Sequence, residues 1–336
     1  MTRHKGRVRF SRPPVEIKVL KRHNTNMKIN TVLIAGAGAI GLSIAETIFK
    51  SDPNCISVLA TGERLERYRK NGLKVNGEKL GFRITHGEKA DLILVACKYH
   101  HLDQIIEDMA PSVGKNTIIL SLLNGISSEE IIGARLGQER LPLAMVIGTD
   151  ASHEKEETLY TKKGIIHFGD SEGKNGEREE SIVEFFTSTG VSFVLEQNMK
   201  RKLWYKYMMN VGANQVTAVL RLPYGAIHNE GGSDEIPEAR LLVEKAMAEV
   251  VAVANAEGID LNKDDIENSF KNTINFLNSA GYTSMCQDVL AGRKTEVEMF
   301  SLTLMELAKK HNISVPLNET LYLELRTIER RMGVAR

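Results

Sequence analysis

The chain has 336 residues, enough for two domains with separate cores. Its 44 Lys and Arg against 43 Asp and Glu leave a net charge of +1, which gives no global basis for a nucleic-acid partner or an acidic one. No apolar run reaches the length of a membrane span. The three cysteines, Cys55, Cys97 and Cys286, lack metal-ligand spacing and fit a reducing cytoplasm, so no metal site and no disulfide scaffold are expected.

Residues 1–26 are rich in Arg and Lys, carry Glu16 as their one acid, and show no sustained apolar period. They read as a basic, disordered N-terminal extension or an upstream start, since Met27 stands directly before the first apolar run. A nucleic-acid arm and a transit peptide are the other readings, and the apolar core of a secretory signal is missing.

The first run, Thr31-Val32-Leu33-Ile34-Ala35, leads into Gly36-Ala37-Gly38-Ala39-Ile40-Gly41. Apolar residues at helical spacing follow in residues 42–49, so the glycine motif sits between a strand and a helix. In that context Gly36 permits the turn, Gly38 lets the backbone approach a pyrophosphate, and Gly41 lets helix and strand pack closely. A structural turn without a ligand would use similar glycines. The strand–turn–helix setting favours a dinucleotide held at a helix N-terminus.

Further apolar runs at 56–60, 92–96, 117–120 and 143–147 read as strands, with helical patterns at 102–109 and 128–136 between them. This alternation predicts a Rossmann-type doubly wound parallel sheet over residues 27–196, with 164–168 and 191–195 as later strands. From 197 to 336 the patterns turn helical, at 199–220, 236–256, 263–277, 295–311 and 318–331. An all-helical C-terminal domain is therefore expected, with the active site in the cleft facing the carboxyl ends of the strands.

No acid ends the second strand, where NAD-binding sites usually carry one. Thr61 stands there, and Arg64 is a cation within reach of a 2′-phosphate, which favours NADPH. Glu63 could instead reach the ribose, and Arg64, Arg67 and Arg69 could form a solvated helix face. In residues 203–218, Lys206, Asn210 and Asn214 recur at i, i+4 and i+8 on an otherwise apolar helix. Polar groups on an inner face must be hydrogen-bonded or wet. A second cluster is Thr283-Ser284-Met285-Cys286-Gln287-Asp288, followed by Ala291-Gly292-Arg293-Lys294-Thr295-Glu296-Val297-Glu298.

Together these segments resemble the ketopantoate reductase (2-dehydropantoate 2-reductase) family. The likeness runs from about residue 27 to 331 and includes the glycine turn, Lys98 after a buried strand, Asn124-Gly125 and both clusters. The resemblance implies NADPH-dependent reduction of 2-dehydropantoate to (R)-pantoate, a step toward pantothenate and coenzyme A. It implies Lys206 as general acid and Glu296 as the carboxylate that binds the substrate hydroxyl and orients the lysine. Ser284 would bind the substrate carboxylate, Asn210 and Asn214 the substrate, and Lys98 and Asn124 the cofactor side. A small 2-oxo acid is the expected partner, and a homodimer is left open.

The sequence departs from the family pattern at Leu123, Ser127, Tyr224 and the pair Ser301-Leu302. These positions border the pockets, so a related 2-oxo acid reductase or D-2-hydroxy acid dehydrogenase is the alternative. A non-catalytic NADPH-binding regulator would have no use for Lys206, Glu296 and Ser284 together.

Overall fold

The computed structural model describes residues 27–335; the N-terminal extension expected at 1–26 lies outside them. Ten strands form: β1 (Val32–Ala35), β2 (Ile56–Leu59), β3 (Leu73–Val75), β4 (Glu78–Leu80), β5 (Arg83–Thr85), β6 (Ala90–Val95), β7 (Val113–Ser121), β8 (Leu143–Glu154), β9 (Glu157–Gly169) and β10 (Phe193–Leu195). Among them lie helices α1 (Ala39–Ser51), α2 (Gly62–Asn71), α3 (Leu102–Met109), α4 (Ser128–Leu136) and α5 (Glu177–Thr189).

Five strands make a parallel sheet in the order β5-β2-β1-β6-β7. Every residue of β1 and β2 is buried, which is why they read as unbroken apolar runs and not as alternating ones. The chain leaves β1 toward β2 on one side and returns to β6 on the other. That reversal opens a crevice at the carboxyl ends, where Gly36, Thr61, Lys98 and Asn124 all follow a strand.

The later strands do not extend this sheet. β8 and β9 form a long antiparallel hairpin, from the pair Leu143↔Gly169 to Glu154↔Glu157. β9 also pairs in parallel with β10 and β3, giving a second, mixed sheet. The apolar segments at 143–147 and 164–168 are strands as expected. Their partners differ because the polar, alternating residues between them also take strand geometry and bring the two runs together as a hairpin.

The remaining helices are α6 (Met199–Met209), α7 (Gln215–Leu220), α8 (Pro237–Ala256), α9 (Lys263–Asn272), α10 (Ser284–Leu290), α11 (Thr303–Lys310) and α12 (Pro316–Arg331). They share one apolar core, centred on the buried α8 residues Val243, Met247, Val250 and Val253, which recur every three or four positions. Among the described residues no helix is long and apolar enough to cross a membrane.

Two helices contain a π-turn, at Asn210–Asn214 between α6 and α7 and at Glu298–Leu302 before α11. The turns are joined: Tyr207 Oη donates to Phe300 O at 2.5 Å, and Ser301 Oγ donates to Gln215 Oε1. Gly212 lies at the point of closest approach to α8. A Cβ there would come within 2.6 Å of Met247 Cγ and 2.9 Å of Val243 O. The carbonyl cannot move aside as a flexible side-chain end would, so this site tolerates no added methyl. Gly212→Ala should destabilise the protein by about 1–3 kcal/mol through overpacking, measured by denaturant unfolding; unchanged stability would show that α8 yields freely.

Candidate active site

The glycine turn fits a dinucleotide phosphate. A Cβ on Gly36 would lie 2.6 Å from the Ala96 carbonyl group, and one on Gly41 only 2.0 Å from Gly36 O, so the fold itself requires both glycines. Gly38 differs, since its Cβ would meet nothing nearer than Ala96 O at 3.9 Å. The open side of Gly38 is where a ligand backbone approach needs a missing side chain. Helix α1, which begins at Ala39, has no capping side chain and no acid in its first turn, leaving its N-terminus to an anion.

At the end of β2 the three arginines of α2 separate. Arg67 pairs with Glu156 at 2.7 Å and Arg69 with Glu66 at 3.7 Å. Among the described residues no carboxylate pairs with Arg64. Its charge is felt at Cys97 and His101, which follow β6. Thr61 Oγ1 donates to Asp108 Oδ2 at 3.0 Å.

Lys206 reaches across from α6 to the first domain. Its Nζ donates to Asn124 Oδ1 at 2.9 Å and to Val146 O at 2.8 Å. The free carbonyl follows from sheet register. Val146 is paired with Ile166, whose N–H donates instead to Ser192 O on the far side. The pair is therefore the non-hydrogen-bonded kind, and the Val146 carbonyl points off the β8 edge toward α6. Burial pushes the Lys206 pKa down from 10.5 to about 8, with the Glu296 charge opposing the fall.

The π-turn bears on the polar stripe of this helix. Four residues of α-helix overshoot a full turn by about 40°, so Lys206, Asn210 and Asn214 would drift around a regular helix. The wider i→i+5 turn at Asn210–Asn214 turns less per residue and opposes that drift. Asn214 is buried, and among the described residues no hydrogen bond engages the side-chain amide of Asn210 or Asn214.

Glu296 is buried, at 8% exposure. Its Oε1 accepts from the Tyr99 N–H at 3.3 Å, and its Oε2 lies 3.7 Å from Lys98 Nζ. Lys98 also donates to Asp288 Oδ2 at 3.0 Å, and Arg293 Nε donates to the other Asp288 oxygen at 2.8 Å. Burial works against the Lys98 ammonium, yet Glu296 and Asp288 outweigh it and hold its pKa above the ordinary value. Ser284 stands one helical turn before Asp288 on α10, exposed, on the face that Asp288 turns to Lys98.

The structure thus brings Lys206, Asn124, Glu296 and Lys98 into one cleft between the two domains. Sequence reasoning missed Asp288, although it lies in the quoted cluster; a buried acid on a short helix was the available signal. It also missed Glu329, a fully buried α12 carboxylate whose Oε1 accepts from the Thr295 N–H at 2.8 Å and hydroxyl at 2.6 Å. That pair of bonds anchors the residue just before Glu296. Cys97 borders the site, but burial first, with Glu296 adding, pushes its thiol up to about 12, so it supplies no thiolate nucleophile.

Comparison with known proteins follows this geometry. Residues 32–173 match the family model described as ketopantoate reductase PanE/ApbA, and residues 198–329 match that of its C-terminal part. Similar curated proteins include an uncharacterized oxidoreductase of Bacillus subtilis, 26% identical over 88% of this chain and 98% of its own. A 2-dehydropantoate 2-reductase of Pyrococcus horikoshii is 26% identical over 87% of this chain and 95% of its own. Among solved structures, the 2-dehydropantoate 2-reductase of Geobacter metallireducens has a TM-score of 0.76 at 25% identity, covering 88% of this chain and 99% of its own. A D-mandelate dehydrogenase in a ternary structure with NADH and anilino(oxo)acetate has the same fold, with a TM-score of 0.77 at 21% identity, covering 90% and 99%. With both family models matching in order across the two domains, the chain belongs to the ketopantoate reductase family of oxidoreductases.

Proposed function

We propose that this protein reduces 2-dehydropantoate to (R)-pantoate with NADPH, as a cytoplasmic step toward pantothenate and coenzyme A. The observation that carries the reading is the Lys206 ammonium, held at the cleft by Asn124 and Val146 with a pKa near 8. In this reading residues 27–196 hold the cofactor and residues 197–336 supply most substrate contacts. Gly36, Ala37, Gly38, Ala39, Ile40 and Gly41 would hold the pyrophosphate, with Thr61 and Arg64 at the adenosine ribose. When bound, NADPH supplies the hydride that adds to the ketone carbon.

The chain's own groups do the rest. Lys206 stabilises the negative charge that grows on the ketone oxygen and then gives it a proton from Nζ. Asn124 and the Val146 carbonyl aim that ammonium. Glu296 retains acceptor capacity beyond the Tyr99 N–H and Lys98, which suits a substrate carrying a hydroxyl away from the ketone. This favours 2-dehydropantoate over a 2-oxo acid without one. Asn210, Asn214 and Ser284 line the same side for the remaining polar groups of the substrate. The D-2-hydroxy acid dehydrogenase reading keeps its place through the fold shared with the D-mandelate dehydrogenase. A homodimer is supported by the Staphylococcus aureus ketopantoate reductase of like fold, which is described as dimeric.

Two variants test this reading. Lys206→Ala should lower kcat by about 10²- to 10⁴-fold on both 2-dehydropantoate and 2-oxoisovalerate. Glu296→Ala should raise the KM for 2-dehydropantoate and cost much less on 2-oxoisovalerate, which lacks the hydroxyl. Steady-state kinetics on the two ketoacids decides, and near wild-type kcat for Lys206→Ala on both would refute the mechanism.

The proton donor sets the pH dependence. Lys206 must be charged to act as acid, so the reduction rate should hold below about pH 8 and fall as pH rises through it. Oxidation of the alcohol needs the free amine as base and should rise over the same range. Rate profiles in both directions read this directly, and a reduction rate flat through that range would exclude Lys206 as the donor. For the cofactor, Arg64→Ala should raise the KM for NADPH by roughly one to two decades and leave NADH nearly unchanged. Equal loss with both cofactors would place Arg64 elsewhere.

A further inference from the structure

The strand end that carries no acid in the sequence receives one in space. Asp108, at the end of α3, is 47 residues from Thr61, yet its Oδ2 accepts the Thr61 hydroxyl at 3.0 Å. Its Oδ1 accepts from Gln104 Nε2, also at 3.0 Å. Among the described residues no Lys or Arg pairs with it. Thr61 is placed to cap α2 but makes no side-chain cap bond; its hydroxyl is turned to Asp108 instead.

The adenosine ribose of a dinucleotide lies beside the residue that ends the second strand. Two opposite charges with no ionic partner therefore flank that position, Arg64 on α2 and Asp108 on α3. We propose that Asp108 is a specificity-determining residue for the cofactor, its carboxylate accepting the free ribose 2′-hydroxyl of NADH and opposing the 2′-phosphate of NADPH that Arg64 attracts. This rests on the NADPH-dependent reading above and adds what limits its strictness. A carboxylate supplied from the next crossover helix does the work of the acid usually found on the strand itself. Its charge lies at the edge of solvent, so the effect on a phosphate is moderate and falls with added salt.

The signature is opposite movement of two affinities, which a general disturbance of the pocket does not produce. Calorimetric titration of the full chain with NADP+ and with NAD+ reads it without turnover. Asp108→Asn keeps the shape and removes the charge. It should tighten NADP+ by roughly five- to tenfold, the scale of one like-charge contact near solvent, and weaken NAD+. The ratio of kcat/KM for NADPH over NADH should rise with it. Affinities that move together, or do not move, would overturn the inference while leaving the NADPH reading in place. A wild-type protein that binds neither nucleotide would remove that reading and the inference with it. If the asparagine variant loses its cooperative unfolding transition, Asp108→Ser carries the same test.

Discussion

One buried ammonium, Lys206, ties the two domains together where burial disfavours charge. Lys206 sits on an otherwise apolar helix and pays the cost of leaving water, which lowers its pKa to about 8. Three contributions keep the proton in place: an amide oxygen from the loop after β7, a carbonyl from β8, and the field of Glu296. Each comes from a different element, two of them in the first domain and one in the second. The lysine is therefore defined by the docking of the domains and has no comparable environment in either alone. The shift also bears on stability. Between about pH 8 and the ordinary 10.5 the unfolded chain holds a proton that the folded chain has released, so this residue favours the fold more as pH rises.

The two π-turns serve that docking. Each lies next to a cleft residue, one after Lys206 and one after Glu296. The Tyr207 and Ser301 hydrogen bonds fasten the turns to each other, so the helix segments that carry Lys206 and Glu296 are held together by packed helix. Gly125, with φ +88°, lets the Asn124 loop lie against Met299 of the second turn, where a Cβ would come within 2.6 Å of Met299 Cγ. Glu329 holds Thr295 from behind. The first domain contributes the acceptors, and the second contributes a rigid frame to meet them.

Much of this was legible in the sequence where the cause is local. The strand, glycine turn and helix at 32–51 follow from steric demands within a few residues, and the structure shows two of the three glycines forced by backbone contacts. The cluster around Lys206 is visible as polar groups at helical spacing in apolar surroundings, whereas Glu296 stands out through the family resemblance of its segment. What escaped depends on distant partners or on an added residue per turn. The π-turn at Asn210–Asn214 escapes because the pattern at 199–220 reads as one continuous helix. The β8–β9 hairpin was hidden because only the end of each strand is apolar. Asp108 carries no signal of its own in the helical pattern at 102–109, because its partner Thr61 lies 47 residues away.

The Val146 carbonyl has a consequence of a different kind. One of the two hydrogen bonds that hold the lysine goes to a backbone atom, directed by strand register and not by the identity of residue 146. Replacing the Val146 side chain does not delete that carbonyl, whereas the Asn124 and Glu296 contributions are side-chain groups that mutation can remove. Changes in the surrounding side chains therefore leave this anchor of Lys206 in place.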